Sequence, residues 1–400
     1  MTTNYKILGQ TAPTAGSETL NYTVPSATST MVKSINITNT SATSDTFSLA
    51  ALPSVAPIAT NTFVAVAGGS YGAYSTDGIT WTPSTLPSVT QWRSVTYGNN
   101  TFVAVAAYNT DTAASSTDGI TWTERTLPAS LAWESVTYGN NTFVATGDSF
   151  STTKAATSTD GITWTLRTMP ASASWKSVIY GNNTFIAVAY GSATAASSTD
   201  GITWTLRTLP ASDNWQSVTY GNNTFVAVTY YSDTAASSTD GITWTERTLP
   251  ASASWKSVTF GNNAFVAVAY YSTKAASSTD GITWTLRTLP VSANWQSVTY
   301  GNNTFVALAS YSTTAASSTD GITWALRTLP ASSDWKSATF GDPELPPSTT
   351  TANYIAYNNS IPANSTVTIK AGYTLATGNG IRVTSTNGTS TFTTFGAEIS

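Results

Sequence analysis

The segment Ser198–Pro210, STDGITWTLRTLP, recurs almost unchanged along the chain and decides the fold. Near-identical copies begin at Ser238, Ser278 and Ser318, and looser copies begin at Ser75, Ser116 and Ser158. The copies follow one another every 40 to 42 residues. A period near 40 with several short strands in each unit is typical of a β-propeller, in which each unit forms one four-stranded blade. The Asp-Gly pair of each copy predicts a tight turn.

The fourth copy illustrates how the four strands are arranged. We predict strand A over Lys176–Tyr180, strand B over Thr184–Tyr190, strand C over Ala195–Thr199 and strand D over Ile202–Leu209. Gly-Asn-Asn separates A from B, and Asp-Gly separates C from D, as expected for strong turn formers. Large and small apolar residues alternate in strand B, which indicates that both faces of a blade pack against neighbouring blades.

The two ends of the repeat region complement each other. The first copy begins at Asn61 and lacks strand A, whereas the last copy is followed by an additional strand A within Asp334–Gly341. Joined together, these parts make one complete blade of three N-terminal strands and one C-terminal strand. The sequence therefore predicts an all-β fold: a seven-bladed β-propeller with a composite (3+1) closing blade. Closure removes the exposed sheet edges that would otherwise promote aggregation.

The segments outside the repeat region are expected to form a second domain. They are rich in Thr, Ser and Asn, with short alternating runs such as Met31–Thr40, Ser365–Leu375 and Gly380–Gly388 that predict strands. We assign 1–56 to the first half of a β-sandwich anchor domain and 57–341 to the propeller. Residues 342–400 are assigned to a linker and the second half of the sandwich. In this interpretation the propeller is inserted into a split β-sandwich.

Composition excludes several classes of function. Charged residues make up 9% of the chain and the net charge is −4, so the sequence offers no basic patch for nucleic acid. Cysteine and histidine are both absent, which removes thiolate metal sites, disulfides and the usual general base. We recognise no signal peptide and no apolar run long enough to cross a membrane. We therefore expect no cofactor, no metal and no membrane insertion.

The repeated stretch SSTDGITW resembles the Asp-box, or BNR repeat, of sialidase-like propellers, although Asp and Gly are adjacent here instead of separated by one residue. One interpretation makes the aspartates catalytic or metal-binding. We favour a structural role, in which each carboxylate accepts backbone N–H groups of its own turn, because seven identical groups around a ring cannot converge on one substrate. The structural set comprises Asp77, Asp118, Asp160, Asp200, Asp240, Asp280 and Asp320, with Trp81, Trp122, Trp164, Trp204, Trp244, Trp284 and Trp324 packed beneath the turns.

Two further sets of residues recur once in each copy. A second tryptophan precedes strand A, and we interpret it as inter-blade packing in preference to ligand stacking: Trp92, Trp133, Trp175, Trp215, Trp255, Trp295 and Trp335. An arginine recurs on strand D, the outermost strand, at Arg125, Arg167, Arg207, Arg247, Arg287 and Arg327. These arginines cannot form the cluster near the axis that a sialidase site needs. We therefore predict no catalytic residues.

The copies differ mainly after strand B and between strands D and A, and in a four-stranded meander both loops emerge on one face. Such variation is typical of drifting loops, but also of a recognition surface for glycans or a partner protein on a rigid scaffold. The candidate binding residues on this face are Tyr108, Tyr190, Tyr230, Tyr231, Tyr270, Tyr271 and Tyr311, together with Phe150. The residue after each second tryptophan also varies and is expected near the channel mouth: Arg93, Glu134, Lys176, Gln216, Lys256, Gln296 and Lys336.

The flanking segments carry a second resemblance. YKILGQTAP (Tyr5–Pro13) and NYIAYNNSIPANSTVTIKAGYTLATGNGIRV (Asn353–Val383) resemble a small β-domain of tailed-phage structural proteins, notably those of phages of cyanobacteria. The resemblance implies a non-enzymatic virion protein, assembled in the host cytoplasm and displayed on the particle exterior as a fibre, neck or capsid decoration. Its expected partners are other virion proteins, further copies of itself (a trimer is one option) and a host-surface glycan.

Two alternatives stay open. One is a glycan-processing enzyme on a sialidase-like propeller, which would need Arg, Glu and Asp clustered near the axis; the sequence indicates no such cluster. The other is a bacterial surface lectin, which an export signal would favour.

Overall fold

The computed structural model describes residues 6–11, 18–23, 29–39, 45–52, 61–108, 110–148, 153–341, 354–361, 365–375, 380–385 and 390–399. Every regular element within these ranges is a β-strand. The chain divides into two compact units, one of Met1–Ile58 with Glu344–Ser400 and the other of Ala59–Pro343. Each unit is described separately below.

The strands are numbered in chain order. The first four are β1 (Lys6–Thr11), β2 (Glu18–Thr23), β3 (Ser29–Asn39) and β4 (Asp45–Leu52). The repeat region contains β5 (Thr62–Ser75), β6 (Thr82–Gly98), β7 (Thr101–Ala107), β8 (Thr110–Ser116), β9 (Thr123–Leu131), β10 (Trp133–Gly139), β11 (Thr142–Gly147), β12 (Lys154–Ser158), β13 (Thr165–Thr168), β14 (Ser174–Gly181), β15 (Thr184–Tyr190), β16 (Ser192–Ser198), β17 (Thr205–Asp213), β18 (Trp215–Gly221), β19 (Thr224–Ser238), β20 (Thr245–Gly261), β21 (Ala264–Tyr270), β22 (Ser272–Ser278), β23 (Thr285–Ala293), β24 (Trp295–Gly301), β25 (Thr304–Ala309), β26 (Ser312–Ser318), β27 (Ala325–Ser333) and β28 (Trp335–Gly341). The last four are β29 (Tyr354–Ile361), β30 (Ser365–Leu375), β31 (Gly380–Ser385) and β32 (Ser390–Ile399).

The unit formed by the two chain ends contains two four-stranded antiparallel sheets, ordered β1-β32-β3-β30 and β2-β31-β4-β29. Strands from the N-terminal and C-terminal segments alternate strictly in both sheets. Consequently, no two strands of the same segment pair with each other, and neither segment completes a sheet alone. The predicted strand Ser365–Leu375 coincides with β30. The segment GDPELPPSTTT (Gly341–Thr351), predicted from the sequence as a linker, lies outside the described residues except for Gly341.

The repeat region forms five antiparallel sheets, which corrects the prediction of seven separate four-stranded blades. Three sheets have four strands, β10 to β13, β14 to β17 and β24 to β27, and two have six, β18 to β23 and β28-β5-β6-β7-β8-β9. The six-stranded sheets arise because one residue pairs on both sides. Gln91 in β6 pairs with Gly68 and Ala107, and Ser254 in β20 pairs with Tyr230 and Tyr270. Each long strand thereby joins strand D, the outer strand of one repeat, to strand A, the inner strand of the next repeat.

The ends of the repeat region pair with each other, as the incomplete first and last copies predicted. Strand β28 pairs with β5 from Trp335 opposite Ala67 to Gly341 opposite Thr62. The repeat region is therefore a closed ring, which is the architecture of a β-propeller.

A hydrogen bond between neighbouring inner strands recurs seven times and closes into a circle. In each case the backbone N–H of one strand donates to a serine hydroxyl of the preceding inner strand, over 3.1 to 3.3 Å. The pairs are Val95 with Ser337, Val136 with Ser94, Val178 with Ser135, Val218 with Ser177, Val258 with Ser217, Val298 with Ser257, and Ala338 with Ser297. The inner strands of all seven repeats therefore surround one axis.

Both faces of each sheet are buried, and strand β7 shows how. Phe102 packs with Trp92 on one face, whereas Val103 packs with Trp133 of the following repeat on the other. All four side chains are fully buried. Seven such apolar clusters surround the ring, and each draws on more than one repeat. Burial of this kind removes apolar area from water only while both neighbouring sheets are present.

The predicted strand limits within the fourth repeat are partly corrected. Strand B was predicted over Thr184–Tyr190, and β15 has these limits. Strand D begins at Thr205 instead of Ile202, because the Asp200 carboxylate holds the N–H groups of Ile202 and Thr203 at 2.8 Å and keeps them in the turn.

If the ring is closed, a serine on the closing strand should contribute as much to stability as the equivalent serine elsewhere in the ring. Ser337→Ala removes the acceptor of Val95 N–H, and Ser217→Ala removes the equivalent acceptor of Val258 N–H far from the closure. Both variants should lower the free energy of unfolding by a similar amount, about 1 kcal/mol, as measured by urea denaturation. If only Ser217→Ala were destabilising, strand β28 would not close the ring.

Candidate functional site

The turns of the ring separate onto two faces. The first asparagine of the A–B turn donates its amide N–H to a threonine carbonyl in the Asp-Gly turn of the next repeat, as Asn99 does to Thr159 over 3.3 Å. Five further pairs repeat this contact: Asn140 with Thr199, Asn182 with Thr239, Asn222 with Thr279, Asn262 with Thr319, and Asn302 with Thr76. Both kinds of turn therefore lie on one face, here called the Asp-turn face. In antiparallel strands the B–C turns lie at the opposite end, here called the tyrosine face.

Each predicted aspartate lies in its own turn on the Asp-turn face. Asp200 Oδ1 accepts the backbone N–H groups of Ile202 and Thr203, both at 2.8 Å, and the hydroxyl of Ser198 at 2.9 Å. Gly201 has φ +72°, and a Cβ there would lie 2.7 Å from a methyl group of Val144, so the turn requires glycine for conformation and for space. The Oδ1 of every other predicted aspartate accepts the equivalent three hydrogen bonds.

These hydrogen bonds change the acidity of the aspartates. Partial burial acts to raise the pKa of Asp200, but the hydrogen bonds from Thr203, Ile202 and Ser198 outweigh it and leave the pKa below its ordinary value of 3.8. The pKa of each of the other six aspartates is lowered as well. The folded protein therefore favours the ionised carboxylates. Within the described residues, no three acidic side chains form a group that could hold a metal ion.

The two tryptophan sets are both in the core. The first set lies beneath the Asp-Gly turns at 8% exposure; Trp204 lies 6.5 Å from the ring of Phe185, which in turn lies 4.7 Å from that of Tyr180. The second set is fully buried, and Trp215 Nε1 donates to the carbonyl of Ala211 at 3.0 Å. Neither set offers a ring face to a ligand.

The strand D arginines are used inside their own sheets. Arg207 Nε donates to Ser197 Oγ on the neighbouring strand at 2.8 Å, and the other five make the equivalent bond. They therefore do not meet at the axis.

Four of the predicted tyrosines stand at one turn position with an unusual backbone. Tyr108, Tyr231, Tyr271 and Tyr311 have φ between +52° and +70° and are 64% to 75% exposed. The left-handed region is unfavourable for a bulky residue, and the same position holds glycine in other repeats, at Gly69 and Gly191. These four turns thus present a large aromatic ring to solvent at a position that glycine could occupy without strain.

The structure brings two predicted tyrosine pairs together. The rings of Tyr230 and Tyr231 are 4.0 Å apart, and those of Tyr270 and Tyr271 are 4.1 Å apart. Tyr230 and Tyr270 are 6.5 Å apart and join the pairs into one aromatic cluster. The other three predicted tyrosines lie in repeats other than the two that hold these pairs: Tyr108, Tyr190 and Tyr311. Phe150 lies outside the described residues.

Next to the tyrosines, the start of the inner strands surrounds a polar opening at the axis. The seven variable residues predicted near the channel mouth line a space of about 120 Å³ together with the inner serines: Arg93, Glu134, Lys176, Gln216, Lys256, Gln296 and Lys336. A wider cavity of about 260 Å³ adjoins Lys256 and Lys176, with Tyr190 and Tyr230 in its wall. We call these two spaces together the axial pocket.

Charges in the axial pocket are mostly paired. Arg93 Nε lies 2.7 Å from Glu134 Oε2, and Lys336 Nζ lies 2.7 Å from Asp334 Oδ1. Lys176 pairs with Asp148 and lies 3.6 Å from Glu134. This network corrects the expectation that no Arg, Glu and Asp would cluster near the axis, although it contains one arginine and not an arginine cluster. The variation after each second tryptophan was its only signal in the sequence.

Lys256 differs from the other cations of the pocket. Its Nζ lies 5.2 Å from the ring centroid of Tyr230, and it forms no ion pair within the described part of the chain. Burial lowers the pKa of Lys256 to about 7, and the nearby charge of Arg93 acts in the same direction, against Glu134. The charges of Lys176 and Lys336 lower it further.

Comparison with known proteins identifies the fold and no family. No family model matches the sequence, and no curated protein matches it. A virginiamycin B lyase from Staphylococcus aureus superposes with a TM-score of 0.55 at 15% identity, over 60% of this chain and 85% of that one. A catalytically inactive form of that lyase with quinupristin has a TM-score of 0.55 at 12% identity, over 84% and 99% of the two chains. A streptogramin B lyase has the same score and identity, over 66% and 95%. At such identities the likeness establishes a β-propeller fold alone.

In the described ranges, no helix is long and apolar enough to cross a membrane.

The hydrogen bonds of the Asp-Gly turn predict an acid-dependent stability. Because the folded pKa of Asp200 is lowered, its stabilisation is fully present above the ordinary value of 3.8 and is lost as pH falls through the folded pKa. Asp200→Ala should cost about 1 kcal/mol at pH 7, since water can reach the two exposed amides. Asp200→Asn keeps the Oδ1 acceptor and should cost less; its difference from wild type should shrink as the pH falls through the folded pKa, below 3.8.

Denaturation by urea at pH 7 and at a series of pH values below 3.8 measures both effects. A pH-independent difference between Asp200→Asn and wild type would contradict the role of the ionised carboxylate, and an unaltered stability of Asp200→Ala would show that the turn does not need it.

Proposed function

We propose that this chain is a non-enzymatic binding protein, whose rigid ring presents the tyrosine face to a glycan on a cell surface. The observation that carries the proposal is the recurrence of exposed tyrosines with left-handed backbone at one turn position. Such conformations cost on the order of 1–3 kcal/mol each when a residue other than glycine adopts them, and they cluster at ligand-binding sites. Because tyrosine is unfavourable for folding at this position, we infer that its side chain is there for binding.

The aromatic cluster is the best candidate for the contact itself. Tyr230, Tyr231, Tyr270 and Tyr271 form a continuous ring surface across two repeats. The apolar C–H face of a sugar stacks on such rings, while its hydroxyl groups meet the phenolic oxygens. Each stacked ring should add only about 0.5–1.5 kcal/mol beyond its buried area, so one site would bind weakly. Several copies on one particle would supply avidity.

We further propose that the protein belongs to the exterior of a tailed-phage particle. The resemblance of its flanking segments to phage structural proteins supports this placement, and so does the strict alternation of strands from both chain ends, which makes one unit of them. We propose that this unit is a β-sandwich that anchors the chain to other virion proteins, in a homo-oligomer. Counted by repeats, the ring has seven blades with Asp-box turns, which the circle of seven serine hydrogen bonds supports.

A glycan-processing enzyme is the second candidate, because Arg93, Glu134 and Asp148 line the axial pocket. Lyase chemistry like that of the structural neighbours is not supported. Their inactive form carries a histidine-to-alanine substitution, and this chain contains no histidine. Release of reducing sugar from a glycan that the protein binds, lost in Glu134→Gln, would favour the enzyme over the binding protein.

The tyrosine face predicts that binding and stability can be separated. In Tyr231→Gly/Tyr271→Gly the turns take the residue that Gly191 already provides at this position. Glycan-array signal of the full chain should fall at least about tenfold, since two stacking rings are lost. The free energy of unfolding should stay within about 1 kcal/mol, because relief of strain offsets the flexibility of glycine.

The control is Ile242→Ala/Ile282→Ala, which removes exposed apolar side chains of the same repeats on the Asp-turn face. It should leave the array signal unchanged. Equal loss in both double variants, or a wild-type chain that binds no glycan, would overturn the proposed function.

A further inference from the structure

The axial pocket holds an excess of one positive charge. Four cations line the pocket, and each carboxylate that pairs with one of them is already taken: Glu134 by Arg93, Asp148 by Lys176 and, outside the lining, Asp334 by Lys336. The cation left over is Lys256, which forms no ion pair among the described residues. A partly buried ammonium group without a counter-charge is costly, and an anion from solution would relieve this cost.

The neighbours of Lys256 provide further donors for an anion. Lys256 occupies the ring position between Gln216 and Gln296, whose side chains are neutral and carry amide N–H groups. The aromatic rings of Tyr190 and Tyr230 lie in the wall of the adjoining 260 Å³ cavity. Tyr230 contacts Lys256 through its ring face. One side of the pocket thus combines an unpaired cation, two amides and two apolar ring surfaces, with room for a small molecule.

We propose that the axial pocket binds one carboxylate group, held by Lys256 between Gln216 and Gln296. A carboxylate is planar, singly charged and acceptor-only, which matches one unpaired ammonium and flanking N–H donors. The carboxylate has two sources: a free small carboxylate, or the acid group of a uronic acid, whose sugar ring would then lie against Tyr190 and Tyr230. The inference goes beyond the proposed function: Tyr230 belongs to both sites, but Lys256, Gln216 and Gln296 lie outside the aromatic cluster, and Tyr231 and Tyr271 do not line the pocket.

Binding at this site depends on pH through Lys256. The groups that face it are Arg93, Glu134, Lys176, Lys336, Asp148, Gln216, Gln296, Tyr190 and Tyr230. Because the pKa of Lys256 is about 7 without a ligand, the ammonium is formed below this pH and lost above it. An anion stabilises the ammonium and raises its pKa, so by linkage the affinity for the anion falls as pH rises.

The test measures the affinity of the full chain for acetate, D-glucuronate and D-glucose by NMR titration. Both carboxylates should bind, and neutral glucose should not bind the pocket. In Lys256→Gln the affinity for both carboxylates should fall at least about tenfold. This variant fits the ring, since glutamine already occupies the position in two neighbouring repeats. Lys274→Gln removes a positive charge on β22 of the same repeat, which is separated from β20 by β21 and lies outside the pocket, and it should bind as wild type does.

The pH profile separates a direct role of Lys256 from a structural one. Wild-type affinity should fall about tenfold between pH 6 and pH 8, whereas Lys256→Arg should bind with little change over this range, because arginine stays protonated. Equal affinities for acetate and glucuronate would assign the site to free carboxylates, and tighter glucuronate binding to an acidic sugar; both outcomes support the carboxylate site. Absence of binding, unaltered binding by Lys256→Gln, or a flat wild-type profile would overturn it.

Discussion

The ring depends on the pairing of the last strand of the repeat region, β28, with the first, β5. Until this contact forms, the apolar faces of the first and last repeats remain in water, because each buried cluster draws on neighbouring repeats. The closing hydrogen bond from Val95 to Ser337 joins residues 242 positions apart. Contacts of such separation require the most loop-closure entropy, so the ring gains its full burial only when its ends meet.

A closed ring of near-identical repeats also restricts where a site can form. A residue that recurs once in each repeat is distributed around the circle, and only positions next to the axis come close together. The seven Asp-Gly turns are therefore used locally, each satisfying its own backbone. The residues after the second tryptophans meet because they begin the inner strands. Since these residues differ among repeats, the charges at the axis do not follow the sevenfold repetition that the Asp-Gly turns follow.

The sequence-based predictions succeeded where the repeat itself, its turns or its incomplete copies determine the structure. The repeat period, the two turn types, the pairing of the chain's incomplete copies and the limits of strands such as β15 follow from periodicity and turn chemistry. The start of strand D was wrong because it depends on a side-chain carboxylate that competes for two backbone amides. The merged sheets depend on whether one residue, Gln91 or Ser254, continues the ladder. The ion pairs of Arg93 with Glu134 and of Lys176 with Asp148 depend on the packing of one repeat against the next, which no local pattern of the sequence describes.

The distribution of unfavourable features between the two faces is informative in itself. On the Asp-turn face, carboxylates, amides and glycines satisfy the backbone at the positions that require them. On the tyrosine face, bulky residues adopt left-handed conformations and one cation lacks a counter-charge. Because all seven repeats contribute to the stability of the ring, it tolerates the free-energy cost of these tyrosines and of this unpaired cation. Asparagine tolerates the left-handed region of the A–B turns, whereas the four tyrosines do not, and they lie with the unpaired cation on the face where the repeats diverge. This coincidence supports the ligand contact that we propose.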